Sequence, residues 1–110
     1  MDAKRPGDLV CLLGMTRDEL GGSEYFAMRG ELGSRVPQVD SAVALKRYQT
    51  VNAAQRQGLL ASCHDLSDGG LGVALAETAF AGGFGMAIDL AGVCVDEKLR
   101  ADRLLFSEAG

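Results

Sequence analysis

Eight consecutive residues, His64-Asp65-Leu66-Ser67-Asp68-Gly69-Gly70-Leu71, constrain this chain more than any other stretch. They hold its only histidine, two carboxylates, a hydroxyl and a glycine pair. They also lie where an apolar run (Leu59, Leu60, Ala61, Cys63) gives way to a helical pattern. A strand that ends in Asp-x-Ser-Asp-Gly-Gly and opens a helix gathers backbone N–H groups, a hydroxyl and carboxylates at one point. That combination suits a phosphate or a magnesium-phosphate group.

The pattern on either side predicts an alternation of strands and helices. Residues 8–14 form a short apolar run closed by glycine and read as a buried strand. Gly21-Gly22-Ser23-Glu24-Tyr25 reads as a loop or tight turn, and residues 29–39, with Gly30, Gly33 and Pro37, as loop. Asp40 is a good N-cap for an amphipathic helix whose stripe is Leu45, Tyr48 and Val51, stopped near Gly58. Residues 59–64 are expected to be a second strand. A second helix over residues 71–81 is apolar on nearly every side, as in a helix that is buried or lies in an interface. Residues 84–90 alternate as a third strand, residues 96–102 read as a short charged helix or turn, and Leu104-Leu105-Phe106 begins a fourth strand. The chain stops at Gly110 just after that run, so it is read as a piece of a longer protein.

At 110 residues the chain is a single domain, 1–110, with a modest core. A net charge of −4 and a pI near 4.8 argue against nucleic acid as a partner, because a phosphate backbone needs a basic face. No apolar run approaches the roughly 20 residues of a membrane span, and the N-terminus lacks the apolar centre of a signal peptide. Cys11, Cys63 and Cys94 lie far apart, each in apolar surroundings, and read as reduced, buried thiols of a cytoplasmic protein.

His64 to Leu71, continued by Ala74-Leu75-Ala76-Glu77 and Ala79-Phe80-Ala81-Gly82, strongly resembles phosphoribosylformylglycinamidine synthase. So do three segments in order: Gly7-Asp8-Leu9-Val10 with Leu12-Leu13-Gly14, Leu20-Gly21-Gly22-Ser23-Glu24-Tyr25, and Leu105-Phe106-Ser107-Glu108. The resemblance is to the C-terminal domain of the second half of that internally duplicated enzyme, within the aminoimidazole ribonucleotide synthetase-like superfamily. It implies an α/β sandwich (α+β) with a mixed sheet flanked by helices. It also implies an ATP-dependent ligase of purine biosynthesis, which joins glutamine-derived ammonia to formylglycinamide ribonucleotide. The implied partners are an N-terminal domain, the other half of the enzyme and a glutaminase. ATP or ADP and Mg2+ would belong to the whole enzyme. No catalytic residue is expected in this chain, which alone is expected to be inactive and to pair as a homodimer through its exposed apolar surface. Two alternatives are a non-catalytic assembly domain and a domain of a related ATP enzyme such as thiamine-monophosphate kinase.

By that resemblance Asp65 is a magnesium ligand and Ser67 a nucleotide contact. Read on their own, both residues, and Asp68 more so, could instead cap the helix that follows. His64 has no partners arranged as a triad and reads as a structural hydrogen-bonding residue. Gly21-Gly22-Ser23 could cradle a phosphate or pack against another domain, and Ser107-Glu108 corresponds to a segment that contacts substrate in the first half of the family enzyme, a role expected to be lost in the second half.

Overall fold

A computed structural model describes residues 1–95 and 98–108. The elements in order are α1 (Glu24–Met28), α2 (Ser41–Arg56), α3 (Gly70–Gly82), a 3-10 turn (Leu90–Gly92) and α4 (Ala101–Phe106). The expected mixed sheet is absent among the described residues. The one β contact is an isolated parallel bridge between Thr16 and Val95, in which the Thr16 N–H donates to the Cys94 carbonyl at 2.9 Å. The α/β sandwich is therefore corrected to an arrangement of helices joined by long irregular segments.

The physical reason is that a short apolar run says nothing about a neighbour. A strand requires a second backbone about 4.8 Å away, and that pairing is non-local. Residues 8–14, 59–64 and 84–90 form no strand, Leu90 falls in the 3-10 turn, and Leu9 and Leu59 are largely exposed. Leu104-Leu105-Phe106 is not a strand start either. It is the end of α4, where the Leu104 N–H closes a helical turn onto the Arg100 carbonyl at 3.0 Å. Of the charged stretch 96–102, residues 96 and 97 lie outside the described residues, and the helix begins only at Ala101.

The helices start and stop for local reasons. The Asp40 Oδ1 accepts from the Ala42 and Val43 N–H groups at 2.9 and 3.1 Å, capping α2 as expected. The Ser23 hydroxyl caps α1 by accepting from the Phe26 N–H at 3.3 Å. Gly83, in the left-handed region at φ 71°, ends α3.

The core is small and lies where α3 meets α4 and the segment before α1. Leu20, Leu71 and Ala74 are its buried apolar side chains, and Thr16, Ser23 and Ser107 are buried with them. The N-terminal segment covers a second side of α3, where the Ala3 N–H donates to the Thr78 carbonyl at 3.0 Å. Val73, Ala76 and Phe80, on the opposite side, remain exposed. The α2 stripe is also corrected. Leu45 and Tyr48 face outward, while Ala44, Arg47, Val51 and Ala54 form the less exposed face. All three cysteines are free, but they are exposed rather than buried, because the runs that carry them are not strands of a core.

The α3–α4 contact depends on one glycine. Gly70 sits at φ 62°, and a Cβ there would overlap the backbone carbonyl of Ser107. Gly70→Ala should therefore lower stability by about 1–3 kcal/mol, from backbone strain and forced separation. Gly85→Ala, which enters open space at ordinary φ, should stay within about 0.5 kcal/mol. Urea unfolding of both variants checks the contrast, and equal losses would contradict it.

Candidate functional site

Three of the segments that carry the resemblance, around Glu24, Gly69 and Glu108, meet in space. Glu108 joins them: its Oε1 accepts the Gly69 N–H at 2.8 Å and the Glu24 N–H at 3.0 Å. These two amides stand at the starts of α3 and α1, where unpaired N–H groups carry partial positive charge. A carboxylate is the matching acceptor. Beneath it the Ser107 side chain is 1% exposed, and its hydroxyl donates to the Arg17 carbonyl at 2.9 Å. The Tyr25 and Phe106 rings stack alongside, 4.9 Å between centroids.

Within the eight-residue motif the ends are held and the middle is open. The His64 side chain is 12% exposed. Its Nε2 lies 3.0 Å from Glu77 Oε2, and its Nδ1 lies 2.8 Å from the Asp65 carbonyl oxygen. Both neighbours are hydrogen-bond acceptors, so the ring is fixed between α3 and the backbone, and no nucleophile adjoins it among these contacts. At the other end the Gly70 N–H donates to the Ser67 carbonyl at 3.0 Å. The expected caps do not form. Neither Ser67 nor Asp68 hydrogen-bonds the start of α3 through its side chain, so they are not caps; the Glu108 carboxylate takes the Gly69 amide in their place. The reason is conformational. Gly69 and Gly70 both adopt positive φ, which turns residues 65–68 away from the helix mouth.

Asp65, Ser67 and Asp68 are consequently exposed. The Asp65 carboxylate is 83% accessible, and its Oδ1 lies 3.4 Å from His64 Nδ1. Among the described residues no group of three or more His, Cys, Asp or Glu side chains could hold a metal ion. The described residues therefore form no all-protein metal cage. One open carboxylate still fits the habit of magnesium, which takes one or two carboxylates and completes its shell with phosphate oxygens and water.

Gly21-Gly22-Ser23 does not offer a phosphate cradle. The N–H groups of Gly21, Gly22 and Ser23 already donate to the carbonyls of Arg35, Leu32 and Leu20, at 2.6, 2.8 and 3.1 Å. A cleft of about 360 Å³ is lined by Arg17, Asp18, Glu19, Ser34, Arg35, Val36 and Gln38 and shares no residue with the motif. On its floor Asp18 pairs with Arg35 at 3.1 Å and with Arg103. The hydrogen bond that Arg103 donates to Asp18 holds its guanidinium above the ordinary range.

Residues 5–110 match the family described as "AIR synthase related protein, C-terminal domain". The chain belongs to that family. It is 42% identical over 104 residues to the "Phosphoribosylformylglycinamidine synthase subunit PurL" of Leifsonia xyli subsp. xyli, covering 94% of this chain. Proteins of the same name from Alkaliphilus metalliredigens and Moorella thermoacetica are 40% and 44% identical, covering 99% and 96% of it. The chain spans about 14% of the length of each of these relatives. No solved structure matches it.

The AIR synthase related C-terminal domain thus brings its Gly-Gly-Ser-Glu turn, its Asp-x-Ser-Asp-Gly-Gly turn and its Phe-Ser-Glu end to a single carboxylate. Spacing could not reveal this, since Glu108 lies 39 residues from Gly69 and 84 from Glu24. The one sequence signal was that all three segments carried the resemblance. Glu77 as the partner of His64 was legible in principle, one helix turn after Val73 on a helix with no other charge.

Asp102 ties α4 to α1. It accepts from the Tyr25 hydroxyl at 3.0 Å and from Arg100 Nε and NH2 at 3.1 and 3.0 Å. Loss of surrounding water pushes its carboxyl up. Hydrogen bonds from Tyr25 and Arg100 and the Arg100 charge outweigh that and hold it below its ordinary 3.8. A lowered folded value stabilises the fold above the unfolded value, and that contribution is lost as pH falls through the folded one. Wild type should therefore exceed Asp102→Asn in urea midpoint at pH 6, and the gap should close below about pH 4. A gap independent of pH would show that Asp102 acts by shape alone.

Proposed function

We propose that the chain, as one domain over residues 1–110, serves a phosphoribosylformylglycinamidine synthase. That whole enzyme would be an ATP-dependent ligase of purine biosynthesis. It would use glutamine-derived ammonia to amidate formylglycinamide ribonucleotide in the cytoplasm. Identity of 40–44% to synthase subunits over nearly the whole chain supports this reading over a related kinase. On membranes, no helix among the described residues is long and apolar enough to cross one.

Within that enzyme the chain's part is to hold rather than to transform. The observation that carries this reading is the exposed loop 65–68, secured at His64 by Glu77 and at Gly69 by Glu108. Asp65 is then a magnesium ligand and Ser67 a nucleotide contact, with ATP or ADP supplying the remaining oxygens. Bound magnesium would neutralise phosphate charge. The chain's own contribution is a fixed loop that presents one carboxylate and one hydroxyl to the nucleotide. Turnover then depends on an N-terminal domain, the other half of the enzyme and a glutaminase. The isolated chain, given magnesium-ATP, substrate and ammonia, should show only background amidation and ATP hydrolysis.

Asp65→Asn tests the site. Because the carboxylate is exposed and caps nothing, unfolding of the chain should change by less than about 0.5 kcal/mol. In the whole synthase, nucleotide retained after purification, released by denaturation and measured by chromatography, should fall about tenfold. Unchanged nucleotide content would remove Asp65 from the site.

A supporting role in assembly also accounts for the outer face of α3. Phe80 is 72% exposed, Val73 is 36% exposed, and Glu77 is the only charged residue of the helix. Apolar patches of this kind drive association, so the isolated chain should self-associate, most simply as a symmetric homodimer. Sedimentation velocity at rising concentration should show it, and Phe80→Asp should restore the monomer. A strictly monomeric wild type at high micromolar concentration would contradict the expectation.

A further inference from the structure

We infer that Glu108 is a positioning residue for the proposed nucleotide loop, setting where Ser67 and Asp65 stand by clamping the start of α3 to the start of α1. The inference rests on the site reading above and adds to it a residue that touches neither nucleotide nor metal.

The loop 65–68 has two anchors. On one side His64 is pinned by Glu77, about two helical turns inside α3. On the other, Gly69 is pinned by Glu108 Oε1. The Gly70 N–H to Ser67 carbonyl bond stiffens the turn but fixes it to nothing outside itself. With no cap on α3 from Ser67 or Asp68, Glu108 is what ties this end of the loop to the rest of the molecule.

The clamp is itself rigidly mounted. Glu108 follows Ser107, which is fully buried and bonded to the Arg17 carbonyl. The Ser107 backbone lies so close to Gly70 that no Cβ fits between them. The same Oε1 also takes the Glu24 N–H, one residue after the Ser23 cap of α1. One oxygen therefore sets Gly69 against a backbone that the Gly21-Gly22 turn already fixes. Charge matters here as well as shape, because both donors stand at helix starts and favour an anion. A glutamine carbonyl could accept the same two bonds, but without the charge.

The test uses Glu108→Ala and Glu108→Gln, with two readouts. The first is amide hydrogen exchange in the 110-residue chain. Glu108→Ala should speed exchange at Gly69 and Glu24 together by about tenfold, leaving the centre of α3 unchanged and Glu108→Gln in between. Acceleration at only one of the two amides, or an equal rise at the centre of α3, would overturn the clamp. The second readout is magnesium-ADP affinity of the whole synthase. It should weaken by about tenfold in Glu108→Ala and recover to within about threefold of wild type in Glu108→Gln. Asp65→Asn separates the two claims. If it lowers the affinity while Glu108→Ala does not, the positioning role is wrong and the site stands. If neither variant alters the affinity, the site reading is wrong, the role of Glu108 in it falls too, and the exchange data then report a purely structural clamp.

Discussion

The close approach of the Gly69-Gly70 backbone to residues 107 and 108 is the constraint on which the rest of this structure depends. Both glycines take positive φ, and Gly70 has no room for a side chain against Ser107. That contact lets α3 start directly on the buried end of α4, so the Glu108 carboxylate arrives at the Gly69 amide at hydrogen-bonding distance. It also turns residues 65–68 outward. A bulkier residue at Gly70 would separate the two backbones and so remove a contact and a charge-assisted bond at the same time.

Polar bonds carry much of the organisation because the apolar core is small. Among the described residues the buried apolar side chains are Leu20, Leu71 and Ala74, and Thr16, Ser23 and Ser107 are buried with them. In a low-dielectric setting a satisfied polar group fixes geometry, whereas an unsatisfied one is costly. Ser107 and Ser23 are satisfied by backbone partners, and this keeps the junction of α1, α3 and α4 specific despite so little apolar burial. Thr16 ties the preceding segment through its backbone, its N–H donating to the Cys94 carbonyl in the bridge to Val95.

What was legible in the sequence was local. The Asp40 cap, the span of α2 and the glycine end of α3 follow from rules that act within one helical turn, and all three are present. The sheet was misread because the apolar runs at 8–14, 59–64 and 84–90 satisfy the composition of a strand without specifying a partner, and pairing is decided between distant segments. Leu104-Leu105-Phe106 failed for the opposite reason. Three apolar residues in a row fit a strand, but the preceding Ala101-Asp102-Arg103 completes a helical turn with them. At the site, the motif's importance was visible, yet the choice of cap was not. Local rules favour Asp68 as the N-cap, whereas a carboxylate 39 residues away reaches the Gly69 amide.

That replacement bears on what the motif's own side chains are free to do. An Asp or Ser that caps a helix spends its oxygen on a backbone amide and cannot offer it elsewhere. Here Glu108 and Glu77 take over the fixing of the loop, one at each end, and both are recruited from outside it. The Asp65 carboxylate and the Ser67 hydroxyl stay at the surface, on a loop whose ends are held. A binding loop needs both properties: fixed placement limits the entropy lost when a ligand arrives, and unspent polar atoms supply the contacts. Division of labour between anchoring glutamates and displayed Asp and Ser explains why a turn so rich in capping residues leaves its own helix uncapped by any of them.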